Sequence, residues 1–153
     1  MLFNTRAMNY TPLGFYCAVK YTNFDLSPYK NIENLSNIND IHTTIIYDES
    51  STFFNVNHHI NHVIELDYYN KGIKINNPNY EIFGENTLVI SFESVTLQKR
   101  HNYLKTKYNF THPYPAYNPH ITLSTEFKGD INNLPILKPF ILNCHEYYER
   151  LKD

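Results

Sequence analysis

A chain of 153 residues, of which 42% are apolar, 16% aromatic and 18% charged, carries enough apolar side chains to fold as one domain (1–153) without disulfides or a structural metal, which argues against intrinsic disorder. Its net charge of −2 argues against a protein that tracks a long nucleic acid, because that task needs a basic stripe; the one basic cluster, Lys99-Arg100-His101, reads as a solvated helix face. There is no apolar leader-like run and no stretch near the roughly 20 residues of a membrane span, so a soluble, cytoplasmic setting with no membrane partner is expected, and Cys17 and Cys144 read as small core residues of a reducing compartment.

In chain order, Gly14 to Tyr21 (GFYCAVKY) reads as a strand rich in aromatic and β-branched residues. Leu26 to Asn39 is polar, and Ile32, Leu35 and Ile38 are spaced by three, which predicts a short helix or a looser helical turn. Ile41 to Tyr47 (IHTTIIY) predicts a second strand, ended by Asp48-Glu49-Ser50. Phe53 to Ile60 is ambiguous, and Val63 to Tyr69 reads as a strand. Gly72 to Ile75, Tyr80 to Phe83 and Thr87 to Phe92 form an antiparallel set punctuated by Asn76-Asn77-Pro78 and Gly84-Glu85-Asn86. Ser94 to Tyr108 is the clearest helix, with Leu97, Leu104 and Tyr108 on one face and His101 between them. Three prolines forbid regular structure from Thr111 to Pro119, after which His120 to Ser124 and Phe140 to Tyr147 predict strands. The order implies an α+β fold of antiparallel sheets with few helices.

Two segments share one pattern: Ile41-His42-Thr43-Thr44-Ile45 and Pro119-His120-Ile121-Thr122-Leu123, about half the chain apart. Side chains alternate across a strand, so His and Thr two residues apart share a face. Each motif therefore presents an imidazole beside a hydroxyl. Phosphodiester cleavage needs a base for the attacking oxygen and an acid for the leaving oxygen. An imidazole titrates near 6.5 when unperturbed, so two of them can fill both roles near neutral pH. Threonine hydroxyls can donate to the non-bridging phosphate oxygens. The candidate catalytic residues are His42, Thr44, His120 and Thr122, with no metal and no cofactor.

The paired His-x-Thr motifs resemble the signature of the 2H phosphoesterase superfamily, whose two-lobed fold holds the active site in the cleft between lobes. Pro12-Leu13-Gly14-Phe15-Tyr16 before the first motif, and Tyr117-Asn118-Pro119-His120-Ile121-Thr122 around the second, are similar to the phage anti-CBASS phosphodiesterases, which destroy cyclic-oligonucleotide alarm signals of bacterial immunity. That resemblance implies a metal-independent hydrolase acting on a cyclic di- or trinucleotide. The abundance of residues with AT-rich codons (Asn, Ile, Lys, Tyr) suits a phage or a low-GC bacterium, and a phage-encoded chain would work in the host cytoplasm. Cleavage of RNA 2′,3′-cyclic or 2′–5′ phosphodiesters, and a non-catalytic nucleotide sponge, remain the alternatives. The sequence leaves base preference, the identity of the acid and the base, the nucleophile and the oligomeric state open.

Tyr16 and Tyr117 are the candidate base-stacking rings, each with a core role as the competing reading. Glu146 is a candidate acceptor for a base amino group, with a surface carboxylate as the competing reading. His112 reads as a solvated loop residue that could alternatively cover the pocket. His58, His62 and Glu65 lack the pattern of a zinc site.

Overall fold

The computed structural model describes residues 14–50, 71–111, 114, 116–149 and 151. The expectations for 53–60 and 63–69, for His58, His62 and Glu65, for His112 and for Pro12-Leu13 lie outside the described residues. Among the described residues, seven strands, β1 (Phe15–Tyr21), β2 (His42–Asp48), β3 (Ile73–Phe83), β4 (Thr87–Glu93), β5 (His120–Ser124), β6 (Phe140–Leu142) and β7 (Cys144–Glu149), form two antiparallel sheets. Sheet one has the order β2-β1-β7 and sheet two the order β5-β4-β3-β6. The fold is α+β, as the alternation of patterns implied.

The helix α1 (Val95–Tyr108) begins where Ser94 accepts the N–H of Leu97 and ends at Asn109, whose φ of 56° is left-handed. Its inward stripe is Leu97, Arg100, His101 and Leu104, at i, i+3, i+4 and i+7. The basic cluster is therefore split: Lys99 is exposed, whereas Arg100 and His101 do not lie on a solvated face. Arg100 and His101 are 5% and 4% exposed. Asp48, buried at the end of β2, accepts the N–H of Thr111 at 2.7 Å and so ties the segment after α1 to sheet one.

Two local expectations are revised, and a third takes the looser of its two forms. The segment predicted as a short helix or a looser helical turn holds two single 3₁₀ turns, Ser27–Tyr29 and Ile38–Asp40. Pro28 and the Asn37 side chain, which accepts the N–H of Asn39, favour turns over a longer helix. Asn76-Asn77-Pro78 does not end a strand. It lies inside β3 as a bulge, with Asn77 at a φ of 48°, and the irregular register absorbs the proline's missing donor. The last predicted strand is two strands: β6 pairs with β3, and β7 pairs with β1. The chain passes from one sheet to the other at Asn143, whose N–H donates to Asn23 Oδ1 (2.7 Å) and whose carbonyl accepts the N–H of Thr22 (2.9 Å).

Apolar side chains of both sheets and of α1 form one core, including Phe15, Val19, Ile45, Ile73, Ile90, Leu104 and Ile121. Cys17 and Cys144 are free thiols within it, and burial pushes both up, Cys144 to about 12, so they act as core residues. No helix among the described residues is long and apolar enough to cross a membrane.

One charged pair is buried with this core. Arg100 donates through Nε and Nη2 to the two carboxylate oxygens of Glu146, at 2.9 and 2.7 Å, and the Glu146 side chain is fully covered. Removing one partner strands a buried charge, whereas replacing both removes the need for pairing. We expect Arg100→Met to lose about 3–5 kcal/mol of unfolding free energy. The double variant Arg100→Met/Glu146→Met should recover most of it, as measured by urea unfolding.

Candidate active site

The strand pleat decides which side chains can meet. On sheet one, Tyr16, Ala18 and Lys20 of β1 pair with Tyr47, Thr44 and His42 of β2, and with Glu149, Tyr147 and His145 of β7. All nine share one face. On sheet two, the row His120–Ser91–Asn79 and the row Thr122–Val89–Glu81 share a face in the same way. β2 and β5 are both edge strands, and Thr43 links them by donating its hydroxyl to the carbonyl of His120 at 3.0 Å. Thr43 in turn accepts from the buried hydroxyl of Tyr21 at 2.7 Å. The residue between the histidine and the threonine of the first motif is thus a clasp joining the two motifs.

Both motifs are built alike. His42 Nδ1 lies 2.7 Å from the carbonyl of Asp40, and His120 Nδ1 lies 3.0 Å from the carbonyl of Asn118. A carbonyl only accepts, so each ring carries a proton on Nδ1 and presents Nε2 as a lone pair when neutral and as an N–H when charged. Directly after each threonine the strand bulges: Ile45 is the extra residue opposite Cys17/Ala18, and Leu123 the extra one opposite Leu88/Val89. Side chains or a loop capture the carbonyls at each bulge. Thr44 O accepts from Tyr117 Oη (2.7 Å), and Ile45 O from His101 Nδ1 (2.7 Å). Thr122 O accepts from Ser36 Oγ (3.0 Å), and Leu123 O from Ser36 N (2.8 Å).

Of the residues singled out in the sequence, His42, Thr44, His120, Thr122 and Tyr16 stand half-buried on the two site faces. Tyr16 shares a hydrogen bond with Thr44 Oγ1 at 2.9 Å, and its ring meets His42 edge-on, centroids 6.5 Å apart. Burial pushes its hydroxyl above the usual tyrosine range. Tyr117 has a structural job: its ring stacks on His101 with centroids 4.3 Å apart, and its hydroxyl is the donor to Thr44 O. Glu146 does not join the site face. Register places it opposite Val19, on the core face, where it is neither a base acceptor nor a surface carboxylate but the partner of Arg100.

Other residues enter from the structure. Lys20 pairs directly with His42, and its ammonium lies 5.7 Å over the ring of Tyr147. Tyr147 also flanks Tyr16, centroids 6.0 Å apart. Phe83 meets His120 edge-on at 4.8 Å. The alternation that pairs His42 with Thr44 also puts Tyr16 and Lys20 on one face, so Lys20 was within reach of sequence reasoning. Phe83 and Tyr147 depend on cross-strand register, for which one sequence carries no signal. Among the described residues, no group of three or more His, Cys, Asp or Glu side chains is arranged to hold a metal ion.

Two antiparallel sheets, each with one edge strand that carries a His-x-Thr segment, the two clasped by Thr43, define an α+β protein with a paired-motif site. The family model described as anti-CBASS protein Acb1 matches residues 14–153, and the chain belongs to that family. Comparison with curated proteins returns no match.

Tyr117→Phe tests the ring's structural role. The change keeps the stack on His101 but leaves the Thr44 carbonyl without its donor. We expect a loss of about 1–3 kcal/mol in unfolding free energy, read by urea unfolding; unchanged stability would show that the hydroxyl has no structural role.

His101 gives a pH signature. Burial holds its imidazole below the usual histidine range, with the Lys105 charge adding to this and the Ile45 carbonyl opposing it. The unfolded chain then binds a proton that the folded chain refuses, so stability falls as pH drops through the unfolded value of about 6.5. The melting-temperature advantage of the native protein over His101→Gln should narrow between pH 7.5 and 5.5.

Proposed function

We propose that the protein is a metal-independent phosphodiesterase that hydrolyses 3′–5′ bonds of cyclic di- or trinucleotide immune signals, the activity by which a phage evades CBASS. The observation that carries this reading is the matched presentation of two imidazoles. Both hold Nδ1 against the carbonyl two residues earlier and offer Nε2, from edge strands tied by the Thr43–His120 bond. Membership in the anti-CBASS family supports the substrate class. The matched His-x-Thr segments are what support assigning the protein to the 2H phosphoesterase superfamily.

In this mechanism one imidazole, neutral, removes a proton from the attacking water as its oxygen bonds to phosphorus, and the other, charged, protonates the ribose oxygen as the P–O bond breaks. Both can exchange a proton through Nε2 because Nδ1 is occupied in each. Thr44 and Thr122 donate to the non-bridging oxygens, and those contacts strengthen as charge builds up there. Lys20, opposite His42 and without a carboxylate partner among the described residues, adds a cation on the same face for the substrate's phosphates. Tyr16 and Tyr147 form an aromatic wall beside it for a nucleobase.

The test is incubation of wild type, His42→Ala and His120→Ala with cyclic dinucleotides and cyclic trinucleotides in EDTA, with products read by mass spectrometry. Wild type should turn over, and each variant should lose about 10²–10⁴-fold in rate while retaining binding. Metal-dependent turnover, or near-normal rates in either variant, would overturn the reading. Intact nucleotide released from denatured wild-type complex would identify a sponge, and cleavage of RNA ends alone would identify the RNA enzyme.

A further inference from the structure

The rows that cross sheet one differ in character. Tyr47, Tyr16 and Glu149 form one, Thr44, Ala18 and Tyr147 the next, and His42, Lys20 and His145 another. This last row sets an ammonium between two imidazoles across β2, β1 and β7. Neighbouring strands lie about 4.8 Å apart, so the backbone of His145 stands roughly 10 Å from that of His42. Glu149, the carboxylate on these rows, is two rows from Lys20, roughly 13 Å along the strand.

Lys20 leans away from His42. Its ammonium lies 5.7 Å over the ring of Tyr147, a β7 residue two positions from His145. The negative face of the ring orients the ammonium without neutralising it. The side chains of Lys20 and His145 have no hydrogen-bond or ion-pair partner among the described residues. A phosphate undergoing cleavage would sit between His42 and His120, on the side of the sheet where β2 meets β5. The Lys20 ammonium is directed to the opposite side, toward β7. A cyclic di- or trinucleotide carries at least one further phosphate, joined to the first through a ribose, whose bonds stay intact while the first is cut. Resting on the cyclic-nucleotide reading, we propose that Lys20 and His145 form a binding site for this non-scissile phosphate. Lys20 supplies a charged donor, and His145 supplies an N–H, which an imidazole offers whether neutral or charged. Because Tyr147 already orients the ammonium, less side-chain freedom is lost on binding. The site favours substrates with two or more phosphates over a single phosphodiester, which would reach the imidazoles but leave β7 empty.

The experiment compares a cyclic dinucleotide with the linear dinucleoside monophosphate of the same bases, which has one phosphodiester and no second phosphate. Dissociation constants are measured by calorimetry in the His120→Ala background, directly for the ring and by competition for the linear compound. They are measured again with Lys20→Met or His145→Ala added. The ring should bind at least about tenfold more tightly than the linear compound. Each added substitution should weaken the ring about tenfold and the linear compound far less, so that the preference collapses. His145 is exposed, so His145→Ala keeps the fold and decides the question even where Lys20→Met lowers the melting temperature. Equal weakening of both compounds would place the cation at the scissile phosphate and overturn the site. An unchanged ring affinity in His145→Ala would also overturn it. Cleavage of the ring by wild type would in either case leave the phosphodiesterase reading standing. Failure of wild type to bind or cleave any ring would overturn both.

Discussion

Edge strands carry backbone donors and acceptors that no further strand satisfies. Here two edge strands, β2 and β5, also carry the two His-x-Thr motifs, and the satisfaction of their polar groups by side chains is the constraint on which the candidate site depends. Thr43 serves the carbonyl of His120, Tyr117 that of Thr44, His101 that of Ile45, and Ser36 those of Thr122 and Leu123. A buried carbonyl left without a donor costs about 1–3 kcal/mol. The need to avoid that cost on both edges fixes the rotation of each strand, and hence the direction in which each His-x-Thr pair faces.

The bulges have a second effect. An extra residue reverses the parity of all that follows it in a strand. In β2 this lets Ile45 and Ile46 both be buried in succession, while His42, Thr44 and Tyr47 all face the site. The same shift in β5 leaves Leu123 and Ser124 buried beside Thr122. Similar local solutions at the two motifs mean that the histidines differ mainly in their surroundings: His42 has Lys20 and Tyr16 near it, and His120 has Phe83. That asymmetry, and not the local hydrogen bonding, is what distinguishes the two imidazoles.

Much of this was legible from the chain. The alternation of IHTTI and PHITL carried the strands, the shared face of each pair and the fold class, because period-two patterning is a local property. Ser94 and the apolar stripe carried α1. What escaped depends on long-range pairing. Nothing local to Lys99-Arg100-His101 tells that Arg100 meets a carboxylate forty-six positions on, so a buried pair reads as a surface cluster. Glu146 followed the strand's parity but on the core face, and its face could be assigned only once β7 was registered against β1. Tyr117 read as free to stack because its hydroxyl's acceptor, the Thr44 carbonyl, is a backbone atom of the other motif. The crossing at Asn143 was hidden because a strand that changes sheets reads as one uninterrupted strand.

That crossing bears on how the protein is made. β1 is among the earliest described elements to be synthesised, yet one of its two neighbours, β7, is among the last, and the intervening chain includes all of sheet two. During translation β1 and β2 can form a hairpin, but the Tyr147 side of the site and the partner of Arg100 arrive only with β7. Until then β1 has an open edge and α1 an uncompensated guanidinium. Closing so long a loop is entropically slow. A chain halted before β7 would therefore hold both histidine motifs and still lack the Tyr147 wall of the proposed site.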